Sequence, residues 1–130
     1  MNIENYLTVP YVDGGRDFDV GLDCWGLVRH VLHHVFDGPL MNAFGSVFPG
    51  ENVRMTERFD DTSPQLKPCK PKAGALACCF YQADGRDIFH HVGICISEHQ
   101  VLHTSSSRGP QIMPIRAFKR LAFKVEFYAC

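Results

Sequence analysis

The chain has 130 residues, 45% of them hydrophobic and 21% charged, with a formal net charge of -1. A chain of this length buries roughly two-thirds of the surface its unfolded form exposes, so one domain over residues 1–130 with a single core is expected. The charge balance excludes the broad basic surface of a nucleic-acid or anionic-membrane binder, and the ordinary globular composition excludes disorder.

Apolar stretches such as Gly74 to Tyr81 are far too short for a membrane span, so no membrane insertion is expected. The N-terminal Met1-Asn2-Ile3-Glu4-Asn5 has neither a basic region nor an apolar signal core, which predicts a chain made in the cytoplasm without a signal peptide. From Tyr6 to Gly21 the turn formers Pro10, Asp13-Gly14-Gly15 and Gly21 predict a loop. The best helix follows from Asp23 to about Asp37, where Leu27, Val28, Val31, Leu32 and Val35 fall at helical spacing. Asp23 is placed to cap it and Gly38-Pro39 to stop it.

Between Leu40 and Pro71 the pattern is mixed, with a turn at Pro49-Gly50 and a short helix around Asn52 to Phe59. Beyond Pro71 the apolar runs Ala75 to Tyr81, Val92 to Ile96, Val101 to Thr104 and Ala122 to Tyr128 read as antiparallel strands. Turns fall at Ala83 to Arg86 and Ser97 to Gln100. A helix followed by a sheet predicts an α+β domain.

Six cysteines, at 24, 69, 78, 79, 95 and 130, include no Cys-x-x-Cys pair, so neither a disulfide framework nor a structural zinc site is expected. Cys24 differs from the rest. At the first turn of its helix, unpaired backbone amides and the helix dipole favour a thiolate, although by position alone one more buried thiol is the better reading.

His91 and His103 flank a short hairpin. If Ile96 pairs with Gln100, His103 lies opposite Gly93 and diagonal to His91 on one face; a shift of one residue separates them. Gly93 is expected to leave room for substrate or the helix end. His90, the rival base, should point the other way. His30, His33 and His34 read as a solvated helix face rather than a metal site. Ser105 to Pro110 lacks phosphate-loop spacing and reads as a cleft wall or a turn.

Tyr11-Val12-Asp13-Gly14-Gly15, Asp23-Cys24-Trp25-Gly26-Leu27-Val28, His91-Val92-Gly93-Ile94 and Leu102-His103 together resemble the ordered motifs of the NlpC-type peptidoglycan peptidases, a papain-like family. The resemblance runs from about Tyr11 to Pro114 and is weakest from Leu40 to Lys70. It implies a papain-like domain in which the Cys24 helix packs on an antiparallel sheet. It also implies Cys24 as nucleophile, His91 as base and His103 as the residue that orients the imidazole. Tyr11 would lie beside the nucleophile, with Asp23 and Trp25 completing the substrate-binding set. Trp25 stands where many members carry serine, and Ala75 replaces the aspartate of the family's Gly-Asp-Leu strand.

The reaction so implied is amide hydrolysis in the peptidoglycan stem peptide, at the γ-D-glutamyl to diaminopimelate bond, through a thioester and without a cofactor. The Asp-Cys-Trp-Gly form resembles phage or prophage tail-assembly members, which implies phage tail-tip proteins as partners and the virion tail, acting in the bacterial cell wall, as the place of action. Three other readings stay open: an amidase or acyltransferase on another substrate, a non-catalytic tail module, and a redox or metal-binding protein using the spare thiols.

Overall fold

A computed structural model describes residues 1–45 and 50–130. In the opening loop a capped 3-10 turn at Ile3–Tyr6 is followed by a two-residue ladder of β1 (Arg16–Asp17) and β2 (Gly21–Leu22). Helix α1 (Cys24–His34) comes next, then α2 (Asn52–Thr62) and the short β3 (Lys67–Pro68). The rest of the sheet is β4 (Leu76–Ala83), β5 (Arg86–Cys95), β6 (Gln100–Ser105), β7 (Gly109–Pro114), a one-turn helix α3 (Ile115–Phe118) and β8 (Lys124–Ala129). Six strands form one antiparallel sheet in the order β3-β8-β4-β5-β6-β7.

The apolar stripe of α1 packs with α2 on one face of this sheet, burying Leu27, Val28 and Val31 against Leu76, Cys78, Phe80, Val92, Ile94 and Leu102. The opposite face carries a second cluster, in which Ala77, Cys79, Cys95, Val101 and Phe127 pack under Ile115 and Phe118. The α+β expectation therefore holds, with α3 as an extra cover on the far face.

Boundaries differ where local signals were weak. α1 ends at His34, not Asp37, because Asp37 takes a left-handed φ of 56° that closes the helix before Gly38-Pro39. α2 runs three residues beyond Phe59 to Thr62, whose hydroxyl bonds back to the Arg58 carbonyl. The Pro49-Gly50 turn falls partly outside the described residues. β5 starts six residues earlier than its apolar run, because Asp84 and Gly85, at φ 53° and 73°, form the tight hairpin turn that extends pairing back to Arg86. β7, which the apolar runs do not predict, carries Pro110 and Pro114; it is an edge strand, where proline is tolerated.

Candidate active site

The nucleophile end is built by polar bonds. Asp23, fully buried, caps α1 by accepting from the Gly26 amide at 2.8 Å. It also accepts from the Gly14 amide at 3.0 Å and pairs with Arg16 at 2.6 Å. One carboxylate thus ties the Asp13-Gly14-Gly15 turn to the start of the helix and leaves Cys24 as its first residue. The glycines make the approach: a Cβ on Gly26 would stand 2.0 Å from the Gly15 carbonyl oxygen. Arg16 and two side chains of α1 then hold the next segment. Arg29 donates to the Met41 carbonyl at 2.6 Å, Trp25 Nε1 donates to the Asn42 carbonyl at 2.8 Å, and Arg16 Nε donates to the Ala43 carbonyl.

The histidine end is built by register. Ile94 pairs with Leu102 and Cys95 with Val101, and the Ile96 amide bonds to the Gln100 carbonyl, as the hairpin spacing predicts. His103 consequently stands diagonal to His91, and His91 Nε2 lies 2.9 Å from His103 Nδ1. A β-bulge between Cys79 and Phe80 pairs Cys79 with His91 and Phe80 with Phe89, which makes His90 the extra residue. The bulge lets Phe89 and Val92 both face the helices while His91 faces the other way. His90 packs its ring on Tyr81 instead, 5.4 Å between centroids.

Gly93 leaves room for neither substrate nor the helix end. A Cβ there would meet Val101 Cγ1 at 2.6 Å and His103 Cβ at 3.2 Å, so its bareness lets β6 close on β5. Phe118 seals the pair from below, with ring centroids 5.2 Å from His103 and 6.0 Å from His91.

Cys24 lies on the α1 side of β5 and the two histidines face Phe118 on the other side. The pairing of β5 with β6 stops at Ile94 and Leu102, and the Val92 amide beside His91 is one of two backbone amides, with that of Trp25, that favour the Cys24 thiolate. Among the described residues no hydrogen bond joins Cys24 to His91.

The charges correct the expectation of a ready thiolate. Burial, and secondarily the Asp23 carboxylate, push the Cys24 thiol up to about 12, against which the amides and Arg16 are too weak. With only 2% of its surface exposed, the sulfur loses more hydration than the helix terminus returns. Burial also drives His91 down to about 3, helped by His103 and His90, and lowers His103. The resting pair is a neutral thiol and a neutral imidazole. Burial, the hydrogen-bonded Asp13 and the nearby Cys24 raise the Tyr11 phenol strongly, so it stays an O–H donor.

Of the expected site residues, the fold gathers Cys24, Tyr11, Asp23 and Trp25 at one end and joins His91 to His103 at the other. Asp23 is corrected from substrate contact to positioning: both of its oxygens are committed within the protein. Arg16 and Phe118 were missed. Arg16 follows the Gly14-Gly15 pair, a visible signal, whereas Phe118 becomes a neighbour only through the β7 turn.

The helix histidines are less solvated than expected. His30 Nδ1 lies 2.7 Å from the Tyr6 hydroxyl, and His33 Nδ1 lies 2.9 Å from the Gly38 carbonyl. All six cysteines are free, and the described residues hold no group of three or more metal-ligating side chains. Ser106 to Arg108 form the turn between β6 and β7.

A cysteine at the start of a helix packed on an antiparallel sheet that carries a histidine pair matches the papain-like class of folds. The chain belongs to the NlpC/P60 family, whose model matches residues 8–120. That family acts on peptidoglycan, and its members are in general cysteine peptidases or amidases. No curated protein matches the chain.

Proposed function

We propose that the chain is a cysteine endopeptidase that hydrolyses an amide bond of the peptidoglycan stem peptide, with the γ-D-glutamyl to diaminopimelate bond as target. The 2.9 Å contact of His91 Nε2 with His103 Nδ1 carries this reading, because it leaves His91 Nδ1 to act as base. Cys24 Sγ attacks the carbonyl carbon while its proton passes to His91 Nδ1. The tetrahedral intermediate then expels the amine, which takes that proton, and leaves a thioester. Water, deprotonated by His91, hydrolyses the thioester and returns the thiol.

The tautomers follow from the hydrogen bond. For Nδ1 of His91 to accept, its Nε2–H must donate to His103 Nδ1, which places the His103 proton on Nε2. That atom is buried without a partner among the described residues, and holding an N–H there costs about 1–3 kcal/mol. The return is an acceptor for the imidazolium that forms at His91. Since Cys24 rests as a thiol, proton transfer accompanies attack. Tyr11 donates to the developing oxyanion and Trp25 borders the substrate.

The Asp23-Cys24-Trp25-Gly26 form supports delivery as part of a phage or prophage tail that meets the bacterial cell wall during DNA entry. Binding to tail-tip proteins tests that setting. The activity is tested by incubating wild type and Cys24→Ala with purified peptidoglycan and defined stem peptides. Mass spectrometry should show a fragment released by wild type alone. No release by wild type at any pH from 5 to 9 sinks the peptidase reading.

A further inference from the structure

Beside the nucleophile lies a cavity of about 50 Å³. Cys24, Cys78 and Val92 form part of its floor, Met55 of α2 part of its wall, and the half-exposed Trp25, Phe44 and Arg58 its rim. Protein interiors leave few voids larger than a water molecule, so such a space against a reactive sulfur calls for an occupant. Most side chains around it are hydrocarbon. Its two cations are already engaged: Arg16 pairs with the buried Asp23 at 2.6 Å, and Arg58 with Asp61 at 3.2 Å. A charged group entering it would lose its hydration without finding a counter-charge. An aliphatic group would lose nothing and would displace weakly held water.

The rim is held in place. The Trp25 indole is pinned to the Asn42 carbonyl and packs 6.0 Å from the Phe44 ring. Among the described residues Arg58 Nε has no hydrogen-bond partner, and the Arg58 side chain lines the cavity.

We propose that this cavity binds an aliphatic side chain larger than a methyl, next to the bond that Cys24 attacks. The assignment rests on the reading of Cys24 as nucleophile and narrows its substrate. A stem peptide offers alanine methyls to this space, and a longer aliphatic group fills it better.

The test reads the size and charge preference at Cys24 without requiring turnover. The whole chain is treated at pH 8.5 with methyl, propyl and hexyl methanethiosulfonates and with the sulfonatoethyl and trimethylammonioethyl reagents. In each case the cysteine sulfur displaces methanesulfinate and forms a mixed disulfide. Peptide-resolved mass spectrometry gives the rate at Cys24 relative to the exposed Cys130. The relative rate should rise about threefold per methylene until the cavity is full, with both charged reagents about tenfold slower than propyl. Met55→Trp, which fills the cavity, should flatten the series; Thr62→Ile, a smaller change on the same wall, should shorten it.

A flat wild-type series, or a charged reagent that matches propyl, overturns the proposal. If the alkyl preference holds while Cys24→Ala cleaves peptidoglycan as well as wild type, the nucleophile reading falls and the cavity stands as a binding site. If cleavage needs Cys24 while the series is flat, the cavity inference falls alone.

Discussion

The two ends of the candidate site are held by different physics. The Cys24 end is a knot of directional bonds: Asp23 engages two backbone amides and a guanidinium, and three side chains grip the consecutive carbonyls of Met41, Asn42 and Ala43. Among the described residues the His91 end has one side-chain polar contact, to His103, and is otherwise fixed by strand register, a bulge, a bare glycine and the packing of Phe118. A polar knot fails when one partner is removed, because the others are left buried and unpaired. A packed register fails by degrees, as shape complementarity is lost.

The largest effect should cross both ends. Cys24→Ala and His91→Ala should each lower the rate on the stem peptide at least about a thousandfold, and the double variant should be no worse than either alone. Additive losses would mean that the two ends do not act as one unit. At the polar end, Asp23→Ala removes a cap and a buried ion pair with Arg16, so it should lower stability by about 3 kcal/mol in urea unfolding. At the packed end, Gly93→Ala drives a Cβ onto Val101 and His103 and should cost about 2 kcal/mol. It should also shift the His91 and His103 ring resonances while leaving Cys24 alkylation unchanged. Equal disturbance of both ends by each variant would dissolve the distinction.

Titration separates the ends as well. Burial takes His91 from its ordinary 6.5 down to about 3, so between those values the unfolded chain binds a proton that the folded chain excludes. Stability from this group is complete above about 6.5 and is lost as pH falls toward 3. Cys24 runs the opposite way, from 9.0 up to about 12; its contribution is complete below 9 and is lost as pH rises through 12. His91→Gln should make the acid limb, and Cys24→Ala the alkaline limb, of the urea midpoint measured from pH 4 to 10 shallower by one group's share, since His30, His90 and His103 are also lowered and Cys78, Cys79, Cys95 and Cys130 also raised. Unchanged limbs would show that neither group is held neutral by burial.

The same contrast explains what could be read from the chain. Helix α1, its cap and the hairpin register are short-range features: Asp23 lies three residues from the amide it caps, and His91 and His103 are fixed by one turn between them. Those signals survive in a string of letters. The face on which each residue sits relative to α1 did not, because the bulge at Cys79 and Phe80 shifts β5 by one residue, and nothing in that run announces a bulge. Arg16 was overlooked because Asp23 and Ala43, the two partners through which it braces the site, lie seven and 27 residues away. The thiolate expectation failed for a related reason: position at a helix start is local, while burial is supplied by the β-sheet and α2, which approach from far along the chain.

The smallest expected effect is the sharpest probe of the polar end. Trp25→Phe keeps an aromatic ring beside Phe44 but deletes the bond from Nε1 to the Asn42 carbonyl, one of the three that hold residues 41 to 43. A single neutral hydrogen bond at a partly exposed position contributes about 1 kcal/mol, so the urea midpoint should fall only slightly. The consequence at Cys24 should be disproportionate to that loss, since Trp25 and Phe44 stand at the rim of the cavity that leads to the sulfur. Alkylation of Cys24 by a small neutral reagent such as iodoacetamide should speed up about threefold to fivefold, the factor expected if the lost bond held the rim closed. The His91 and His103 resonances should stay in place, because no element of the packed end depends on residues 41 to 43. A variant that loses the same stability but leaves Cys24 alkylation unchanged would show that the three side-chain bonds support α1 without controlling access to its first residue.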